Sequence, residues 1–181
     1  MSLKFAALFS LVLIAVIPTA TAQQHADWDM KDAQVASQPI SSLPAPDQQG
    51  IVKQLGEEKP ETLRVMQVQT ASGHIFLVQS VDSEWCGAAG NCPFLVLSSD
   101  YKILLEKVTQ TFKLLSTLHD GLPDIITSMH FSSTEYSLTR WQFNGQRYQR
   151  AGCADALYAD ADGNEFKQPH ITPADCSSHR Y

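Results

Sequence analysis

Tyr136-Ser-Leu-Thr-Arg-Trp-Gln-Phe-Asn-Gly-Gln-Arg-Tyr-Gln-Arg150 is the stretch that decides the fold. Asn144-Gly145 lies between two strand-like runs, and it is a strong hairpin signal because a type I′ turn needs positive φ at both central residues. With that turn, Phe143 faces Gln146 and Trp141 faces Tyr148 across the ladder. Thr139, Trp141, Phe143, Tyr148 and Arg150 then share one face, with Tyr136 and Leu138 on the other. An aromatic pair so placed buries a large area, so this face reads as core. The alternative reading is an exposed aromatic platform for a sugar or a partner loop.

Similar punctuation recurs on both sides of this hairpin. Leu63 to Thr70 and His74 to Val81 flank Ala71-Ser72-Gly73, and Phe94 to Leu97 and Ile103 to Leu105 flank Ser98-Ser99-Asp100. Val108, Phe112, Leu114 and Leu115 suit a strand, Asp120-Gly121 makes a turn, and Ile125 to His130 resumes β character. A last hairpin spans Ala154 to Lys167 around Asp162-Gly163, after which Pro169 and Pro173 are expected to break regular structure. Near the start, Asp47 is a candidate N-cap for a short helix carrying Ile51, Val52 and Leu55, ended by Glu57-Glu58-Lys59-Pro60. The expected fold is mainly β: a small antiparallel sandwich or partly open barrel with one short N-terminal helix, stapled by disulfides.

Upstream of the helix, residues 1–22 have the parts of a secretory signal. Lys4 precedes the apolar run Phe5 to Pro18, and Ala20-Thr21-Ala22 supplies the small residues a signal peptidase needs. That run is short for a spanning helix, which needs about 20 residues, so no stable membrane insertion is expected after cleavage. Residues 23–46, rich in Gln, Ala, Ser, Asp and Pro, read as a flexible tether, with Trp28 either docking it or meeting a partner. Residues 47–181 read as a single domain.

The net charge of −6, from 13 basic and 19 acidic residues, becomes more negative once Lys4 is removed. Such a chain is poorly suited to nucleic acid or to an anionic membrane surface, both of which need clustered Lys and Arg. Export makes disulfides the simplest use of the four cysteines. Of three connectivities, Cys86–Cys92 with Cys153–Cys176 is expected, because Gly87, Gly90 and Asn91 let the short loop fold back sharply. Five residues between Cys86 and Cys92, with no histidine nearby, match neither a C-x-x-C redox pair nor a structural zinc site.

Three groups of side chains are candidates for chemistry. Asp160, Asp162 and Asn164 near Gly163 suggest an oxygen-rich calcium loop, but the register puts Tyr158 and Pro169 at the first and twelfth positions. His119, Asp120, Asp124 and His130 bring imidazole and carboxylate together in sequence, without the close ligand pairs of zinc motifs. His130, Ser132 and Glu135 place a hydroxyl near an imidazole, but no nucleophile elbow is present.

Cys86-Gly-Ala-Ala-Gly-Asn-Cys92-Pro-Phe, Asp120-Gly-Leu-Pro-Asp124-Ile-Ile, Tyr136-Ser-Leu and Phe143-Asn-Gly-Gln-Arg-Tyr148 resemble segments of a family of uncharacterised exported bacterial proteins. The resemblance covers about residues 62 to 176. It implies export and brings no activity with it.

Two functional expectations follow. The first is an exported, non-enzymatic binding module of the periplasm or extracellular space, one form of which is an inhibitor of an extracellular hydrolase. Its contact surface would include Trp85, Gly87 and Asn91, its partner would be a protein or glycan, and it would need no cofactor. The alternative is a small hydrolase or metal-dependent enzyme using Asp124, His130 and Glu135. A purely structural envelope component would instead show an extensive exposed apolar face.

Overall fold

The computed structural model describes residues 27–56, 59–71, 73–160 and 162–177. The signal reading of residues 1–22 and the first residues of the expected tether fall outside this set. The chain runs through β1 (Gln38–Pro39), α1 (Ala45–Leu55), β2 (Leu63–Thr70), β3 (Gly73–Ser80), β4 (Cys92–Ser98), β5 (Ile103–Thr109), β6 (Thr111–His119), β7 (Leu122–His130), β8 (Glu135–Phe143), β9 (Tyr148–Ala159) and β10 (Glu165–Ala174). Strands β1 to β5 form one antiparallel sheet in chain order, and β6 to β10 form a second. The expected mainly β, disulfide-stapled architecture is what the chain adopts, and both disulfides, Cys86–Cys92 and Cys153–Cys176, are formed.

Period-two alternation explains how three apolar layers arise from these strands. Ile75, Leu77, Phe94, Val96 and Leu105 of the first sheet meet Phe112, Leu122, Ile125, Trp141 and Tyr148 of the second, forming the inter-sheet core. Phe94 and Phe112 stack there with ring centres 4.9 Å apart. The intervening residues Phe76, Val78, Leu95 and Leu97 point the other way and pack under Ile51 of α1. On the outer face of the second sheet, Ile126, Leu138, Ala154 and Ala156 are covered by Met30, with Trp28 and Ala33 beside it.

The segment expected to be a tether is therefore docked from residue 27 onward. It runs across the outside of the second sheet and exchanges backbone hydrogen bonds between Gln34 and Phe112 of β6 at 2.7 and 2.9 Å. It then buries Ala36 in the inter-sheet core and pairs Gln38 and Pro39 with Val65 and Arg64. Its apolar residues show no sequence period because successive ones meet different elements. The helix also differs from expectation. Pro44 is the N-cap, Asp47 sits in the first turn and accepts the Tyr101 hydroxyl at 2.8 Å, and Gly56 ends the helix just before the expected stop.

The Asn144-Gly145 hairpin forms with a longer connection than a type I′ turn. Phe143 pairs with Tyr148 and Trp141 with Arg150, leaving a four-residue loop. The Asn144 carboxamide oxygen accepts the backbone N–H groups of Gln146 and Arg147 at 3.1 and 2.9 Å, and this local turn competes successfully with the two-residue one. A change of two residues preserves facing parity, so Trp141 and Tyr148 are still core, each 5% exposed. Asp120-Gly121, with φ of 47° and 84°, does form a two-residue connection between His119 and Leu122. Strand β10 continues through Pro169 and Pro173 rather than ending at them. It is a sheet edge, where a missing N–H costs no ladder bond on the open side.

Candidate functional site

The Cys86–Cys92 loop is built from the ends of β3 and β4. After Ser80 the chain turns, and the Asp82 carbonyl accepts the N–H groups of Trp85 and Cys86 at 3.0 and 2.9 Å. The Asp82 carboxylate accepts the Glu84 N–H at 2.9 Å, the leading reason that it is held below the ordinary carboxylate range. Lys59 reaches Glu84 at 3.0 Å and Asp82 at 3.4 Å, an exposed pair of contacts worth little by themselves. Inside the disulfide ring, Gly87 N–H donates to the Asn91 carbonyl at 2.9 Å and Gly90 N–H to the Gly87 carbonyl at 2.8 Å.

A second set of bonds ties this ring to the far end of β7. The Asn91 carboxamide donates to the His130 carbonyl and accepts the His130 N–H, both at 2.9 Å, as a neighbouring strand would. The His130 ring lies 3.2 Å from the Ala89 carbonyl through Nδ1, and a carbonyl only accepts, so Nδ1 carries the proton. A face of the imidazole stacks on Tyr136 with centres 4.7 Å apart. The loop is thus held by a disulfide, by Asn91 and by His130. Trp85 immediately precedes it, 57% exposed, with Val81 at 48% four residues earlier.

This geometry revises one expected contact residue. Asn91 is half-buried and engaged on both sides of its carboxamide, so it positions the loop rather than offering a surface. Gly87 is exposed as expected.

The expected acid–base group separates. Asp124 and His130 lie six residues apart along β7, roughly 20 Å at about 3.3 Å per residue. Glu135 begins β8 at the His130 end, exposed, and its carbonyl accepts the Phe131 N–H at 3.0 Å. The three therefore do not converge in one pocket. Asp124 does meet His119, at 2.6 Å from Nδ1. The decisive partner, however, is Arg140, whose Nε and Nη2 donate to Asp124 Oδ2 at 2.9 and 2.6 Å. Gln142 adds a fourth contact at 3.3 Å. The Asp124 side chain is fully buried and both oxygens are occupied, an arrangement that fixes a carboxylate instead of freeing it to take a substrate proton.

Arg140 also reaches Asp27 at 3.3 Å and lines a groove of about 520 Å³ with Trp28, Gln142, Gly152 and Ile171. Neither Arg140 nor Gln142 stood out in the sequence. The available signal was the parity they share with Leu138, opposite to Trp141, which puts them on the Asp124 face of the neighbouring strand.

Asp160 serves its own turn. Its Oδ1 accepts the N–H groups of Asp162 and Asn164 at 3.0 and 2.9 Å, and its Oδ2 accepts the Asn164 carboxamide at 2.9 Å. The Asn164 side chain is the leading reason that the Asp160 carboxyl sits below its ordinary range. Among the described residues no three His, Cys, Asp or Glu side chains converge as a metal site. None of the described helices is long and apolar enough to cross a membrane. Two formed disulfides are what a non-reducing compartment sustains.

No protein-family model matches the chain, and neither a curated protein nor a solved structure matches it.

Proposed function

We propose that the chain is an exported, non-enzymatic binding module that meets a protein or glycan partner through the Cys86–Cys92 loop. The observation that carries this reading is Trp85, 57% exposed immediately before a disulfide-closed loop fixed at three points. An exposed tryptophan offers a large amphipathic contact that typically dominates binding energy. A loop already held in one conformation loses little entropy on association. The secretory pattern of residues 1–22 and the disulfides support action in the periplasm or outside the cell. Inhibition of an extracellular hydrolase is one form that such a module takes, with the stapled loop entering the enzyme's cleft.

Affinity capture from periplasmic extract and culture medium, read by mass spectrometry, tests the reading. A specific partner is expected with the disulfide-bonded protein. Its affinity should fall about thirtyfold on Trp85→Ala, the loss of about 2 kcal/mol typical of a central aromatic contact. A partner retained equally by the variant would remove the loop from the contact surface.

A further inference from the structure

The two sheets have four edges, and three of them are short, proline-bearing or already bridged. Strand β1 is two residues long and includes Pro39. Strand β10 carries Pro169 and Pro173 and is irregular between Glu165 and His170. Strand β6 is bridged by Gln34 at Phe112 and bulged between Leu114 and Leu118. Strand β5 is different. It pairs with β4 on one side and with no strand on the other; its register shifts once, between Ile103 and Leu105, runs unbroken from there to Thr109, and its Thr109 end abuts β7 at Ser128.

The space beside β5 has the form of a ledge. The first sheet ends at β5, and Lys107 of that strand lies over the Trp141 ring of β8, with Nζ 5.4 Å from the ring centre. The second sheet extends beneath the open side, where Trp141 of β8 and Tyr148 to Arg150 of β9 line the space. The result is a groove of about 480 Å³, walled by Ile103 to Lys107 and floored by Trp141 and Arg147 to Arg150. One further strand would lie about 4.8 Å from β5, with alternate side chains directed at this floor about 10 Å below.

Charge decides what such a strand must carry. In a chain of net charge −6, the groove collects Lys107, Arg147 and Arg150 against a single lining acid, Glu106. Lys107 and Arg147 have no ion-pair partner among the described residues, whereas Arg150 is already engaged, with the Cys176 carbonyl at 2.7 Å among its contacts. An inward-pointing lysine on an edge strand deters indiscriminate pairing, because an apolar incoming strand would strand its charge. An incoming carboxylate removes that penalty, so the feature that repels most strands selects acidic ones.

We propose that the open edge of β5 receives an extended acidic segment of a partner protein as an added strand, its inward carboxylates meeting Lys107 and its end meeting Arg147. Backbone hydrogen bonds supply the affinity and the basic groove supplies the selection. A second copy of this chain is disfavoured as the occupant, since β5-to-β5 pairing would bring two basic grooves together. This inference goes beyond the Trp85 reading and does not depend on it.

The test uses the purified disulfide-bonded protein and two capped seven-residue peptides, one alternating valine with glutamate and one alternating valine with lysine. Titration calorimetry is expected to show the glutamate peptide binding at least about tenfold more tightly, with affinity falling as salt is raised. Hydrogen exchange should slow at Leu105 to Val108 on binding. Arg147→Glu, at an exposed loop position, should weaken the glutamate peptide severalfold, and Lys107→Glu should do so about tenfold. Trp85→Ala should leave peptide affinity unchanged, which separates this edge from the disulfide loop. Equal affinity for the two peptides, unprotected β5 amides, or β5 protected by self-association without peptide would each overturn the proposal.

Discussion

Replacing Arg140 by methionine should destabilise the protein severely, and the structure sets the size of the effect. The substitution keeps most of the side-chain volume but removes the two donors at 2.9 and 2.6 Å from the buried Asp124 carboxylate. Breaking a buried pair by deleting one partner costs about 3–5 kcal/mol, because the remaining charge is neither solvated nor compensated. His119 and Gln142 stay in contact at 2.6 and 3.3 Å, which places the expected loss near the lower end, about 3 kcal/mol. The Asp27 contact is partly exposed and adds little. With a urea dependence of about 2 kcal/mol/M, the unfolding midpoint should fall by roughly 1.5 M at an unchanged slope. Arg140→Lys should lose about half as much, since it retains the charge but not the two-pronged geometry. Adding Asp124→Leu to Arg140→Met should recover most of the loss, as removing both charges is often close to neutral. A midpoint for Arg140→Met within about 0.5 M of the parent would refute the reasoning, as would a double variant less stable than Arg140→Met.

Two further outcomes bear on the scaffold. Gly50→Ala inside α1 would ordinarily stabilise a helix by about 0.5–1 kcal/mol, yet the new methyl would stand 2.3 to 2.5 Å from three ring atoms of Tyr101; denaturant melts should show a loss of about 1–3 kcal/mol instead. Removing Cys153–Cys176 by paired alanines should cost about 3 kcal/mol and removing Cys86–Cys92 about 2, because sequence separations of 23 and 6 residues release different amounts of unfolded-state entropy; the reverse order in thermal melts would contradict this.

Much of the β framework was legible because its signals are local. Asp120-Gly121 and Asn144-Gly145 announce hairpins through their own backbone preferences. The misjudged length of the second hairpin left Trp141 and Tyr148 on the correct face, since parity survives a two-residue change. The strap from Asp27 to Ile40 was not legible in this way. Trp28, Met30, Ala36 and Ile40 meet the outer sheet face, the inter-sheet core and the layer beneath α1 in turn, so no single period describes them. The prolines of β10 misled for a related reason: whether a proline ends a strand depends on edge position, which is a property of the whole sheet. Asp124 was singled out in the sequence, but its meaning was not readable. That meaning depends on Arg140, sixteen residues away on an adjacent strand, and on a burial that only assembly creates.

The strap also imposes an order in time. The first sheet has all its strands once residue 109 has left the ribosome or a translocation pore, and its contacts are almost entirely between neighbours in sequence. Met30 and Trp28 emerge among the earliest of the described residues, yet the surface they cover is made from β6 to β10. They must therefore wait, exposed, while most of the chain is delivered. Docking of the earliest segment onto the latest sheet is a closing step, and an apolar segment held open that long is where a holding chaperone would act.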